Sequence, residues 1–268
     1  MDEAKKEGGR ARLENDTFTK RNELGGNVVQ RDEHSKSSKL ENLDRASKDV
    51  ARRRIQGELE IYLSSTTQER QEVLKKIDKE ILEAIKDRYG EYLPEERLKD
   101  AYGHPVKFQG HKEYLDGVKE KYPFLKLPKD KIITGDLRPE GPYVDYEAES
   151  FSKTIAHERI HQLRSHELRK HLGSKLDEGF TEYLAREVTG SKLLIDEGNG
   201  YPKEQGIAEL IKERVGDEVM REAYFKGNVE KLRSSLDAQL GNGTTDKVAV
   251  LTRLEMYNQA VKVLRRDL

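Results

Sequence analysis

Residues 157–161 read His157-Glu158-Arg159-Ile160-His161. On a helix, side chains four apart stack on one face about 6 Å from each other. Two imidazoles at that spacing reach one Zn2+ at about 2.0–2.1 Å. The glutamate between them is placed to act as general base on a zinc-bound water. Seven histidines in 268 residues produce such a string by accident in roughly 0.02 of chains, so its helical context matters. That context is present. Phe151, Ile155 or Ala156, Ile160 and Leu163 recur at helical spacing, Ser150 or Ser152 suits the start, and no glycine or proline interrupts Glu147 to Leu172.

A catalytic zinc takes three protein ligands and keeps one position open. The third-histidine pattern HExxHxxGxxH fails here. Arg164 stands where the glycine belongs and Glu167 where the histidine belongs, with His166 one place early and His171 four places late. A glutamate on the next helix is the other solution. Gly173 breaks the first helix, and a second is expected from about Lys175 to Val188, with Phe180, Tyr183 or Leu184, and Val188 on its apolar side. Glu178 on that helix completes a His, His, Glu set. Glu182 lies one turn further on the same face, where a carboxylate would accept the free N–H of a zinc-bound histidine, His157 in first place. The competing reading of Glu182 is a solvated glutamate in a highly charged chain.

HExxH followed by an (Asn/Asp)-Glu-Gly helix resembles the gluzincin metallopeptidases. Asp177 to Leu184, DEGFTEYL, is similar to an EGxTEYL segment of uncharacterised bacterial gluzincin-like proteins. Tyr201-Pro202-Lys203-Glu204 and Ala223-Tyr224-Phe225-Lys226-Gly227-Asn228 resemble later segments of the same proteins, so the likeness covers about residues 140 to 240. It implies zinc on His157, His161 and Glu178, with Glu158 as the base. The chain departs from the pattern at Arg159, often apolar or small, and at Asp177, often asparagine. Neither removes a ligand, and Arg159 is expected to point away from the metal. The resemblance also implies a partner for the oxyanion, for which Tyr224 and Tyr201 are candidates, Tyr224 preferred, with core packing as the other reading of each. It implies an edge strand above the active-site helix that pairs with extended substrate. The segment 141–146 fits, which makes Tyr143, Val144 and Asp145 substrate-binding candidates; a plain sheet edge is the alternative.

Composition bounds the rest. Lys and Arg number 50 against 51 Asp and Glu, a net charge of −1. That offers no steering toward nucleic acid or an anionic membrane. The chain is 38% charged and 34% hydrophobic, with mean hydropathy −0.92. Helices with broad solvated faces and a disordered segment account for this. With no cysteine, disulfides and thiolate metal sites are excluded. No apolar run approaches the ~18 residues of a membrane helix, and the first residues lack a Sec signal core. The expectation is synthesis as a soluble cytoplasmic protein, with any export by a non-Sec route. Residues 1–40 are expected to be a disordered polar leader. Its Val29-Gln30-Arg31 triplet is similar to one in bacterial proteins linked to contractile injection systems, which implies secretion or injection machinery as a partner.

An N-terminal helical region is expected over 41–125, with helices near 40–64, 67–89 and 111–121. Thr66 and Glu69 suit a capping box for the second. A zincin-like core is expected over 126–268. Strands are read at 106–108, 131–134 and 141–146, and later helices at 203–215, 217–226, 228–239 and 245–266, the last carried by Val250, Leu254, Tyr257, Val261 and Leu264. The expected class is α+β and predominantly helical: a small sheet, an edge strand before the HExxH helix, and a helical C-terminal subdomain. The leading functional expectation is a zinc endopeptidase acting on a protein or peptide, in the manner of a secreted bacterial effector or toxin. The alternatives are a non-enzymatic interaction or cargo protein keeping a gluzincin-like shell, and a zinc hydrolase of some other bond. An intact Glu158 argues against the former.

Overall fold

The computed structural model describes residues 66–124, 134–147, 151–190 and 201–266. The expected leader, the helix expected at 40–64 and most of the strand expected at 131–134 lie outside the described residues. What is described is predominantly helical with one three-stranded sheet. No described helix is long and apolar enough to cross a membrane.

Helix α1 (Thr67–Tyr89) opens on the expected capping box: Thr66 Oγ1 accepts from Glu69 N–H at 3.2 Å, and Glu69 Oε2 accepts from Thr66 N–H at 3.1 Å. Leu74, Ile77, Ile81, Leu82, Ile85 and Tyr89 form its buried stripe. Helix α2 (Glu95–Gly103) follows, then strand β1 (Lys107–Gln109) and helix α3 (His111–Lys121). Strands β2 (Gly135–Arg138) and β3 (Gly141–Asp145) form a hairpin. The sheet order is β1-β3-β2, β1 parallel and β2 antiparallel to β3. β1, from the expected N-terminal region, therefore shares one sheet with β3, from the expected core.

This order corrects the edge assignment. β3, which carries Tyr143, Val144 and Asp145, is the central strand. Its backbone groups are engaged on both sides, so it cannot take an added strand. The edges of the described sheet are β1 and β2, and the sequence of β2, Gly-Asp-Leu-Arg, carries little strand signal. Asp145 N–H donates to Thr134 O at 2.9 Å, and Gly135 pairs with Val144 one step along. By antiparallel alternation the N–H and C=O of Gly135 and Leu137 therefore face outward. The outward Leu137 carbonyl accepts from Lys121 Nζ at 3.1 Å.

Helix α4 (Phe151–Leu163) carries the HExxH string and is buried around most of its circumference. It packs against α1, α2, β2, β3 and the later helix α6. The first helix expected up to Leu172 is interrupted. Ser165 N–H donates to Tyr224 O at 2.8 Å, and Arg97 Nη1 donates to Leu163 O at 3.3 Å and Phe225 O at 2.7 Å. Partners from distant segments take over the groups at the end of the helix, and a short α5 (Glu167–Leu172) follows. Gly173, at φ +93°, then leads into α6 (Ser174–Thr189).

Helix α7 (Pro202–Val215) lies hard against α6 at Gly179, where a Cβ would stand 2.3 Å from Glu204 O. Only glycine permits that approach. Helix α8 (Asp217–Arg221) passes into a π-turn over Glu222–Lys226, then α9 (Val229–Leu240), α10 (Thr244–Arg253) and α11 (Tyr257–Leu264). The single helix expected over 245–266 is thus two. The break holds Glu255 at φ +59°. Val250 and Leu254 of the expected stripe are exposed; Val248, Ala249, Thr252, Ala260, Val263 and Leu264 are the buried positions.

Candidate metal centre

The site is built from two helices. On α4 the 3.6-residue period sets His157 and His161 on one face, and their rings meet edge to face with centroids 4.7 Å apart. α6 crosses that face with Glu178. Glu178 Oε2 lies 3.2 Å from His157 Nε2 and 3.0 Å from His161 Nε2. One ligand atom from each of the three residues falls within 4.8 Å of the other two, the one such group among the described residues. Two imidazole nitrogens and a carboxylate oxygen converging on one point are a donor set that suits a divalent transition metal.

The rear of His157 is as expected from the spacing. Its Nδ1 faces Glu182 Oε2 at 3.2 Å. Glu182 is only 2% exposed and is held by Lys153 Nζ at 2.7 Å and Arg186 Nε at 2.9 Å. Burial alone would push the His157 imidazole down, but Glu178 and Glu182 on its two nitrogens raise it to about 10. Burial likewise works against both glutamates, yet hydrogen bonds from the histidines hold Glu178 far below the usual carboxylate range, and His157 and Lys153 do the same for Glu182.

The rear of His161 is different, and this part of the site was not anticipated. Its Nδ1 touches Arg164 Nη1 and lies 3.2 Å from Thr181 Oγ1. Thr181 donates its one proton to Asp177 O at 2.7 Å, so Tyr224 OH, 2.5 Å away, donates to Thr181. Arg164 Nη1 pairs with Asp177 Oδ2 at 2.8 Å. Burial pushes His161 down to about 3, helped by the positive charges of His157 and Arg164. It lifts Asp177 to about 6 against the pull of Arg164. Arg164 sits one helical turn beyond His161, so the i, i+3 spacing was the available signal.

Glu158 is buried on the β2 side of α4. A Cβ on Gly135 would come within 2.7 Å of Glu158 Oε1 and 2.6 Å of Thr154 Cγ2, so the glycine lets the strand backbone reach the carboxylate. Burial lifts Glu158 to about 7, with His157 acting the other way. That is the range in which a carboxylate both accepts and returns a proton.

Arg159 points away from the metal ligands, as expected. It is the largest fully buried side chain and binds Asp78, Ala101 O, His104 O and Gln162. Of the two tyrosines, Tyr201 reaches the site, its ring stacked on His157 at 6.0 Å with planes 15° apart. Burial raises its hydroxyl, and Glu178 and Glu158 add to this. Tyr224 does not face the ligand cluster. It is 0% exposed, stacks on Phe180 and spends its hydroxyl on Thr181. It lies within the π-turn, buried beside Ala223 and Phe225.

The proposed substrate residues are also elsewhere. Val144 and Asp145 are 0% exposed. Asp145 binds the His111 ring at 2.6 Å. Tyr143 stacks under Arg138, 3.9 Å from guanidinium carbon to ring centroid. It lines a cleft of about 690 Å3 with His111 and Gln109, which no metal-site residue lines.

Family models, curated proteins and solved structures yield no match to this chain. The gluzincin likeness therefore stands on the motif residues alone.

Proposed function

We propose that the protein is a metal-dependent peptidase, with zinc as its metal and a protein or peptide as its substrate. The observation that carries this reading is the convergence of His157 Nε2, His161 Nε2 and Glu178 Oε2, with Glu158 buried between the two histidines of the same helix. A cation held by these three residues supplies Lewis acidity toward a carbonyl and lowers the pKa of its water to about 7. Glu158 takes the proton from the attacking water and delivers it to the departing amine. With a cation bound, Glu182 would accept the Nδ1–H of His157 and so leave Nε2 to the cation. Tyr201, whose ring stacks on His157, is the candidate donor toward a developing oxyanion.

The outward backbone of β2 at Gly135, beside Glu158, supports main-chain recognition of an extended peptide. Such recognition is tolerant of sequence. A role as an effector or toxin belongs to the same proposal and rests on the motif likeness.

The test is metal analysis joined to one substitution. Purified protein carries about one zinc per chain, and Glu158→Gln keeps the zinc while hydrolysis of a casein or peptide-library substrate falls by about 10²–10⁴-fold. A chain that takes up no zinc overturns the centre. An active Glu158→Gln variant overturns the assignment of the base.

A further inference from the structure

The apolar stripe that the sequence draws through Val250 and Leu254 is not spent on the core. Val250 is 48% and Leu254 62% exposed, with Met256 beside them at 37%. Three of the six exposed large hydrophobic side chains among the described residues thus fall between positions 250 and 256, at the corner where α10 meets α11. Single exposed apolar residues are ordinary, whereas a group of them at one corner marks a contact surface. Cations frame this one. Lys247 lies three positions before Val250 and Arg253 three positions after, so both share the outer face of α10. Both are exposed, and neither has an ion pair among the described residues. The neighbouring Asp246 and Glu255 are matched by Arg233 and Lys175. The corner therefore presents apolar surface with unbalanced positive charge.

The surface that matches it is on the same chain. α3 and the sheet enclose the cleft of about 690 Å3 that Tyr143 lines. The strands fix its side. A Cβ at Gly135 would meet Thr154 and Glu158 of α4. By alternation Asp136 and Arg138, with Tyr143 opposite Asp136, face away from α4. Arg138 packs there on Gly117 of α3. The cleft thus lies across the sheet from the metal helix. Its two cations are already matched, Arg138 by Asp136 and Lys112 by Asp116. Glu113, Glu120 and Glu147 line it, and among the described residues no cation pairs with any of them. Gln109 Oε1, in the same wall, is buried without a donor. The cleft therefore presents acceptors and unbalanced negative charge around an aromatic ring.

We propose that the α10–α11 corner of one copy docks in the α3 cleft of a second copy, with Leu254 seated in the cleft and Lys247 and Arg253 facing its free carboxylates. Charge complementarity selects this occupant. The chain as a whole is nearly neutral, at −1, yet one surface carries the excess cations and the other the excess carboxylates. Each surface repels its own kind, so corner does not pair with corner nor cleft with cleft. The contact is head-to-tail, between two different surfaces. Its ion pairs are exposed, so the association is weak and falls with salt. It is independent of the metal-centre reading, and its readout needs neither metal nor activity.

The test is sedimentation velocity of the full chain over a concentration series. Wild type gains mass with concentration, and raising NaCl from about 50 to 300 mM weakens the association about tenfold. Arg253→Ser/Leu254→Ser removes the corner, and Glu113→Lys/Glu120→Lys removes the cleft. All four positions are exposed, so both variants fold. Each variant alone is monomeric. Mixed in equal amounts they recover a one-to-one complex and nothing larger, because one intact corner and one intact cleft remain. Wild type that stays monomeric throughout the series overturns the proposal. So does self-association that either variant leaves intact, or a mixture that stays monomeric while wild type associates. Monomeric wild type that co-sediments with phosphatidylserine vesicles overturns it too and assigns the corner to a lipid surface.

Discussion

Two buried arginines belong to the same short stretch of chain, and they are satisfied very differently. Arg159, in the middle of α4, uses all three guanidinium nitrogens. Nε and Nη2 form a bidentate pair with Asp78 at 2.7 and 2.5 Å, and Nη1 reaches two backbone carbonyls and Gln162. Asp78 is completed by Val106 N–H at 3.1 Å. Arg164, at the end of the same helix, touches His161 and Asp177 but leaves Nε and both Asp177 oxygens without aligned partners. A buried charge whose every valence is met has one arrangement and serves the fold. One whose partners are incomplete is less firmly fixed, and here it stands behind His161, one of the three candidate ligands.

Removing one partner of the Arg159 pair tests the first half of this contrast with the largest effect. Arg159→Met leaves Asp78 charged and buried, so it should lower unfolding free energy by about 3–5 kcal/mol in urea titrations. The double variant Arg159→Met/Asp78→Leu should recover much of that. If Arg159→Met costs under about 1 kcal/mol, the pair is not the structural anchor drawn here. Next in size is Glu182→Gln, on the metal side. It should weaken zinc about 10–100-fold with little change in the urea midpoint of the metal-free protein. Unchanged affinity would mean that Glu182 serves α6 and not His157.

Gly179→Ala sharpens the contrast from the backbone. The new methyl meets Glu204 O, so α6 and α7 must part, at about 1–3 kcal/mol and with displaced Glu178. Thermal melts and zinc affinity should fall together. Lys153→Met is the smallest of the series. It removes one partner of Glu182, which keeps Arg186 and His157, and should cost under about 1 kcal/mol with a fall of about threefold or less in zinc affinity. A loss as large as that of Glu182→Gln would make Lys153 an essential part of the site.

The parts of the site that were legible beforehand share one property. His157, His161, Glu178 and Glu182 are related by spacing along helices, and a helix converts spacing into direction without outside help. The same holds for the Thr66 and Glu69 cap and for the buried stripe of α1. Elements read from hydrophobic pattern alone fared less well. The stripe drawn through Val250 and Leu254 ignored a break at Glu255 that only a left-handed residue reveals. The end of α4 at Leu163 depends on Tyr224 O and Arg97, 59 and 66 residues away in sequence from Ser165 and Leu163. β2 was invisible because glycine, aspartate and arginine supply three of its four residues.

By itself, the sequence determined which two histidines and which glutamate converge, the buried position of Glu158 between them, the carboxylate behind His157 and the predominantly helical α+β character. Each follows from short-range geometry that a helix imposes on any chain. The tertiary structure decided which strands are the sheet's edges, which tyrosine meets His157, and what stands behind His161. Those depend on contacts between segments far apart in sequence. Strand order, the burial of Tyr224 within the π-turn, and the close approach of α6 and α7 at Gly179 are set by packing. No local spacing encodes them.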